Sequence, residues 1–336
     1  MLSLFPFSSM FISSLMISSL AAISSNNWLF IWMGLEINLL SFIPLLFMSQ
    51  MNQETEAAMK YFLIQSTASG ILLLGASGIM FNLFLFSGPK FSSFMLIIAL
   101  ATKLGMAPCH FWFPSVMSSL SWPMCFILST WQKLVPLFLI LMLLAPKTNF
   151  YMLMLISLSS SIIGGMGGMN QSQLRPLLAY SSIGHMSWVV TTSLFSTSIS
   201  MMYFTIYVMI ILSMMSTLLL LSMQSNPHSI NMSKINPLIS MSLMVSILSL
   251  GGLPPLTGFM PKWFAIQLLL MNQNFLITLL LVLGSLMNLF YYLNIFFSMK
   301  LATSQTLNLH NVNKMKPLIL IPLLSSTMTL PILMII

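Results

Sequence analysis

Residues Thr102 to Pro114 read TKLGMAPCHFWFP. They place Lys103, Pro108, His110 and Pro114 inside a segment otherwise long and apolar enough to cross a membrane. Gly105 and Pro108 interrupt the helix, and each proline removes a backbone donor. Carbonyls near Thr102 to Leu104 and around His110 therefore lose their helical partners. In lipid such backbone is tolerated only where it faces protein or a water-filled cavity. Much later, Gly251 to Trp263 (GGLPPLTGFMPKW) repeats the arrangement with Pro254, Pro255, Pro261 and Lys262. Two broken membrane helices, each with a lysine near the break, set the expectation for the fold.

The composition agrees. With 58% hydrophobic and 4% charged residues and a mean hydropathy of +0.99, the chain lacks the polar surface of a soluble domain. Its apolar runs are about 20 residues long, which suits roughly 30 Å of hydrocarbon at 1.5 Å per residue. They do not alternate at period 2, so a β-barrel is not expected. The eleven basic and three acidic residues are spread thinly, against nucleic-acid binding. Only Arg175 is arginine, beside 34 methionines. This bias fits an AT-rich organellar genome, or methionine's ease of packing among lipid-facing helices. Cys109 and Cys125 form no CxxC and read as small apolar residues, with neither a disulfide framework nor an iron–sulfur site. No basic region precedes the first apolar run, so Leu2 to Ala21 is expected to be a spanning helix and not a cleaved signal.

In chain order, eleven spans are expected. The first two are about Leu2 to Ala21 and Asn26 to Ser49. Glu36 lies in the second, roughly 12 Å along the axis from Trp28. The third opens at Asn52 with Glu54 and Glu56 in its first turn, where acids complement the helix dipole. The fourth, from Phe91, reaches Lys103 after about 18 Å. The fifth, about Trp122 to Leu144, carries Lys133 at a depth of roughly 16 Å. The sixth, about Phe150 to Met166, ends in a glycine-rich run that either packs closely or forms a flexible exit loop. The seventh starts at Arg175 and holds His185, and the eighth is about Ser200 to Met223. The ninth, from about Asn236 to Met271, contains the Gly251 to Pro255 break. The tenth is about Phe275 to Met299, and the eleventh runs from Pro317 to the end. Lys60, Arg175, Lys234, Lys300, Lys314 and Lys316 fall on the side of the N-terminus, against Lys90 and Lys147 opposite. The positive-inside rule then puts the N-terminus on the inner face.

Glu36, Lys103, Lys133 and Lys262 remain once every charge near a loop is set aside. Each costs about 2.5 to 3.5 kcal/mol at mid-helix. A structural reading makes them internal salt bridges, although a buried ion pair is often no better than a packed apolar pair. A functional reading follows from acid–base chemistry: burial favours neutral lysine, and a carboxylate nearby restores the charged form. A lysine that gains and loses such a partner is a proton switch. Glu36 with Lys103 is then the candidate pair, Lys133 the intermediate carrier and Lys262 the terminal group. His110 and His185 either relay protons and order water or only hydrogen-bond a neighbour.

The broken helices are the fourth and ninth, five spans apart, and an odd offset turns the second unit upside down. Inverted repeats with discontinuous helices near the midplane characterise ion-coupled secondary transporters. The expected fold is therefore an all-α polytopic bundle, a single antiporter-like domain over 1–336. Its inverted five-helix units are 1–147 and 148–299, followed by a loop and C-terminal helix at 300–336.

EAAMKYFLIQS (Glu56 to Ser66), KLGMAPCHFWFP (Lys103 to Pro114), WQKLVP (Trp131 to Pro136), NQSQLRPLLAYSSIGHMSW (Asn170 to Trp188) and GGLPPLTGFMPKW (Gly251 to Trp263) carry a resemblance. In order and spacing they resemble NADH–ubiquinone oxidoreductase chain 2, the mitochondrially encoded antiporter-like subunit family of respiratory complex I. The first helix and the part after Met299 resemble it only in character. The resemblance implies eleven spans, a place in the mitochondrial inner membrane, where the inner face assigned to the N-terminus is the matrix, and a role in coupling quinone reduction to proton pumping. It puts the hydrophilic axis on Glu36, Lys103, Lys133 and Lys262. It implies other membrane subunits of complex I and inner-membrane lipids as partners. No cofactor or metal is expected on this chain; NADH, FMN, iron–sulfur clusters and ubiquinone are expected in other subunits. The absence of a GxGxxG unit and of a cysteine cluster agrees. A free-standing cation/proton antiporter of the same fold, and a structural subunit without an ion path, remain as rivals.

Overall fold

The computed structural model describes residues 5–47, 52–80, 88–143, 147–224, 237–254 and 256–304. Among the described residues all regular structure is helical. The helices are α1 (Phe5–Ser24), α2 (Trp28–Phe47), α3 (Asn52–Met80), α4 (Gly88–Leu104), α5 (Trp112–Met117), α6 (Trp122–Ser129) and α7 (Trp131–Met142). After them come α8 (Lys147–Met169), α9 (Leu174–Ser193), α10 (Thr197–Gln224), α11 (Pro237–Gly251), α12 (Phe259–Met271) and α13 (Phe275–Ser304). Among the described residues seven stretches are long and apolar enough to cross a membrane, with α6 and α7 together making one of them. The eleventh helix expected from Pro317, and Lys234, Lys314 and Lys316, lie outside the described residues.

The helices are apolar on the outside as well as within. On α2, Phe30, Met33, Ile37 and Leu40 are exposed while Asn38 and Ser41 are buried, the arrangement of a helix whose outer surface meets lipid. The serines of α1 are tolerated there because their hydroxyls bond back along the helix, Ser13 to the Met10 carbonyl at 2.8 Å and Ser18 to that of Leu15 at 3.0 Å. Each polar group is then satisfied without a partner helix.

The glycine-rich run belongs to α8 and serves close packing. A Cβ on Gly164 would come within 2.9 Å of the Gly184 nitrogen on α9, and one on Gly168 within 2.5 Å of the Tyr291 ring on α13. Small residues let these backbones approach, and packing replaces the hydrophobic drive that lipid cannot supply.

Both expected breaks are present. Between α4 and α5 the chain is non-helical, with Gly105 at φ +70°. The carbonyl of Thr102 is rescued by the Gly105 N–H at 3.1 Å and by the indole N–H of Trp112 at 3.0 Å. The segment between α11 and α12 turns at Gly252, φ +79°. The expected single helix over Trp122 to Leu144 is corrected, because it divides at Thr130, which adopts φ −118°, ψ −70°. The amide and the hydroxyl of Thr130 both bond the Phe126 carbonyl, at 3.1 Å and 2.7 Å. The ladder restarts at Lys133, whose N–H bonds the Thr130 carbonyl at 3.2 Å. Pro136 weakens the same turn by offering no N–H to the carbonyl of Gln132.

Glu54 does more than complement the dipole of α3. Buried, it accepts hydrogen bonds from the Ser121 N–H and hydroxyl and faces Arg175. Arg175 in turn donates to the Ser118 carbonyl at 3.4 Å and lies 4.9 Å from the Trp122 ring. This clamp ties α3 and α9 to the connection between α5 and α6, and so fixes where the broken helix resumes. Glu56 stays on the surface, 4.0 Å from Lys60.

Candidate functional site

Lys103 occupies the last turn of α4, where free carbonyls favour a cation. Its side chain is buried and opens on a cavity of about 20 Å³ lined by Asn38, Gln65, Gln132, Lys133 and apolar neighbours, room for about one water. Glu36, half-buried on α2, exerts an attractive field on Lys103, and one of its carboxylate oxygens is buried without a hydrogen-bond partner. The two groups make no ion pair within 4 Å; among the described residues that contact is confined to Lys60 and Glu56. A hydrogen-bonded bracket supports the cavity wall: Gln132 donates to the Asn38 side-chain oxygen at 3.0 Å and accepts from the Tyr61 hydroxyl at 3.5 Å.

Lys133 lines the same cavity from α7. It is 1% exposed, so its ammonium depends wholly on protein groups. Nζ donates to the Ser182 hydroxyl of α9 at 3.1 Å and stands 4.5 Å from the Phe113 ring centroid of α5. The Thr130 break and the α4–α5 break thus converge on this residue.

Beyond Ser182, α9 carries the row onward. His185 lies one turn further, buried, with Nδ1 3.1 Å from the Tyr203 hydroxyl. Its ring faces the Leu250 carbonyl at the end of α11 and feels the charges of both Lys133 and Lys262. Lys262, in the first turn of α12, reaches back across the second break and donates to the Gly251 carbonyl at 2.9 Å. Glu36, Lys103, Lys133, His185 and Lys262 are thereby brought into one buried row. His110 stands apart, with Nδ1 3.2 Å from the Pro108 carbonyl and its ring 4.1 Å from Phe111 and 6.3 Å from Tyr180.

Such a row can hold and pass positive charge. Each lysine has a neutral or charged partner near enough to respond to its protonation, and each lies beside backbone freed by a helix break. Among the described residues no group of three or more His, Cys, Asp or Glu side chains gathers as a metal-ligand set. Sequence reasoning missed Ser182, Tyr203 and the Gln132–Asn38 bracket. The one signal for them was polarity on spans otherwise apolar.

The family model described as NADH:quinone oxidoreductase/Mrp antiporter, TM, matches residues 25–288. NADH-ubiquinone oxidoreductase chain 2 of Lumbricus terrestris is 45% identical over 287 residues, 85% of this chain and 84% of that one. The chain belongs to the NADH–ubiquinone oxidoreductase chain 2 family. Solved structures share the fold of these chain 2 proteins. A chain of respiratory complex I from Thermus thermophilus superposes with a TM-score of 0.73 at 22% identity, covering 94% of this chain and 77% of that one. A chain of the membrane-bound sulfane sulfur reductase, an archaeal respiratory membrane complex, gives 0.83 at 17% identity, covering 96% and 72%. In this chain 2 sequence the matched region contains the whole row, from Glu36 to Lys262.

Proposed function

We infer that this chain is a proton-translocating membrane subunit of respiratory complex I, coupling NADH:ubiquinone electron transfer to pumping. The observation that carries this is the electrostatic continuity of the buried row. Lys103 and Lys133 share a cavity, Lys133 bonds Ser182, and His185 senses both Lys133 and Lys262. A purely structural role does not account for three buried lysines without an ion pair, since desolvation costs several kcal/mol per ion. A proton moving along the row discharges one lysine as it charges the next, so the cost is borne by one site at a time. Glu36 sets the charge state of Lys103 and so acts as the switch at the row's first member.

The finer features belong to the same proposal. The eleven spans form two inverted five-helix units, 1–147 and 148–299, ahead of a segment at 300–336. The N-terminus faces the matrix of the mitochondrial inner membrane. The partners are the other membrane subunits and the surrounding lipids. The redox groups, NADH, FMN, iron–sulfur clusters and ubiquinone, sit in those other subunits.

The test is Lys133→Met in the assembled complex. Assembly is expected to survive, because methionine fills most of the volume, while protons pumped per NADH fall sharply; an assembled mutant that pumps at the wild-type rate would sink the relay. Native mass after mild detergent extraction separates this reading from a free-standing cation/proton antiporter, which would run alone or as a small oligomer.

A further inference from the structure

Three neutral amides line the cavity between Lys103 and Lys133, Asn38 of α2, Gln65 of α3 and Gln132 of α7, with Tyr61 of α3 beside them. Asn38, Tyr61 and Gln65 are buried, at 2%, 3% and 5% exposure. Two of the three amide oxygens are taken. Asn38 Oδ1 accepts from Gln132 Nε2 at 3.0 Å, and Gln132 Oε1 accepts from the Tyr61 hydroxyl at 3.5 Å. Gln65, one turn beyond Tyr61 on α3, has no hydrogen-bond partner on the protein among the described residues. Buried polar groups are nearly always paired, so this free amide marks a place where a partner arrives.

Lys103 has the complementary need. An ammonium brings three donors and no acceptor, and that of Lys103 makes neither a hydrogen bond nor an ion pair among the described residues. It opens on the same cavity as Gln65, and its flexible stem lets the charged end move across a gap the size of one water. Lys133 is already engaged, donating to the Ser182 hydroxyl at 3.1 Å. The chemistry of the acceptor matters as much as its place. An amide oxygen holds an ammonium by hydrogen bonding, takes no proton from it and carries no net charge. A carboxylate at the same position would pair with the lysine and hold its proton in place.

We propose that Gln65 is the second resting place of the Lys103 ammonium, occupied when the lysine leaves the field of Glu36 and before it gives its proton to Lys133. This rests on the pumping role above and adds to it a residue that meets the charge between two carriers. On Gln65 the ammonium stays whole: an N–H points at Oε1, and no covalent bond forms or breaks. The proton then leaves as one N–H bond of Lys103 breaks and one forms on neutral Lys133. Lys103 keeps the electron pair and ends neutral. The Gln132 bracket keeps the other two amide oxygens occupied, so the free lysine has one amide to meet.

The experiment compares Gln65→Met, Gln65→Glu, Lys133→Met and Ser66→Ala in the assembled complex reconstituted in liposomes. Protons pumped per NADH oxidised are read as a function of pH, with native electrophoresis for assembly. Ser66 bonds within its own helix, to the Leu63 carbonyl at 3.0 Å, so its variant is expected to pump normally. Gln65→Met keeps the volume without the amide and is expected to lose about tenfold in pumping rate, equivalent to ~1.4 kcal/mol on the barrier. In Gln65→Glu the ionised side chain traps Lys103, whereas the protonated one is neutral like the amide. Its pumping is expected to be weak at high pH and to recover as pH falls. Lys103, Lys133 and Tyr61 line the same cavity and Glu36 acts on Lys103; all four are present in the wild type, whose profile is the reference. Wild-type pumping by Gln65→Met, with Lys133→Met defective, overturns the resting place and leaves the pumping role standing. A Gln65→Glu profile parallel to the wild type overturns it too, whether or not Gln65→Met assembles, because a packing role would not move with pH. Wild-type pumping by Lys133→Met overturns the pumping role itself.

Discussion

The two helix breaks answer one problem in opposite ways. Lys103 precedes its break, in the last turn of α4, and has an acidic neighbour, a small cavity and no protein hydrogen bond among the described residues. Lys262 follows its break, yet reaches back to the Gly251 carbonyl at 2.9 Å and has no carboxylate neighbour. Both ammonium groups thus sit at the carbonyl end of a half-helix, where the dipole favours a cation. They differ in what holds them. Lys103 is held by a charge that can be changed, and Lys262 by a backbone group that cannot. On the proposed relay, the first break would switch and the second would anchor.

The largest effects that test this contrast come from removing the charges. Lys103→Met and Lys262→Met are both expected to abolish most proton pumping. Their stability should separate them: Lys103→Met leaves the Glu36 carboxylate unbalanced, whereas Lys262→Met leaves a backbone carbonyl unpaired at a cost of about 1–3 kcal/mol. Adding Glu36→Gln should therefore restore assembly to Lys103→Met and give nothing back to Lys262→Met. Equal rescue of both, read from native gels, would erase the distinction between switch and anchor.

An intermediate effect comes from the glycines that turn each break. Gly105 and Gly252 both have positive φ, so alanine costs about 1–2 kcal/mol at either one. Their surroundings differ. A Cβ at Gly105 would press to 3.0 Å on Phe113 Cβ in the core, while one at Gly252 would come within 2.9 Å of Lys262 Nζ. Gly105→Ala is expected to lower assembly and pumping together. Gly252→Ala displaces the flexible lysine instead, so pumping per assembled complex should fall several-fold while assembly falls little. If pumping per assembled complex is the same in both, the Lys262 anchor is not a working contact.

The breaks were legible because proline and glycine act locally, and the lysines because a charge in an apolar run is conspicuous. What lay outside the sequence's reach depends on partners far along the chain. Thr130 ends α6 by capping the Phe126 carbonyl, which an isolated threonine in a helical run does not announce. Glu54 read as a dipole partner because its contact with Ser121 and Arg175 spans three elements. The buried tyrosines of α10 and α13 carry no such mark, since nothing in a single span says which face is lipid and which is protein. Glycines 164 and 168 were ambiguous until α9 and α13 stood against them.

The smallest effect is expected at His110, and it sharpens the contrast from within the first break. Its sequence position, seven residues after Lys103, put it among the candidate carriers. Its ring instead rests on Phe111, with Nδ1 toward the Pro108 carbonyl, while the row turns from Lys103 to Lys133 through the cavity. His185, by contrast, feels both Lys133 and Lys262 and bonds Tyr203. His110→Phe keeps a planar ring against Phe111 and should leave pumping within about twofold, the ~0.5 kcal/mol typical of substitutions away from working contacts. His185→Phe should stop it, because the imidazole that feels both lysines is removed. A His110 variant as defective as a His185 variant would mean that protons pass along the break itself, and the cavity shared by Lys103 and Lys133 would then be a packing gap and not the path.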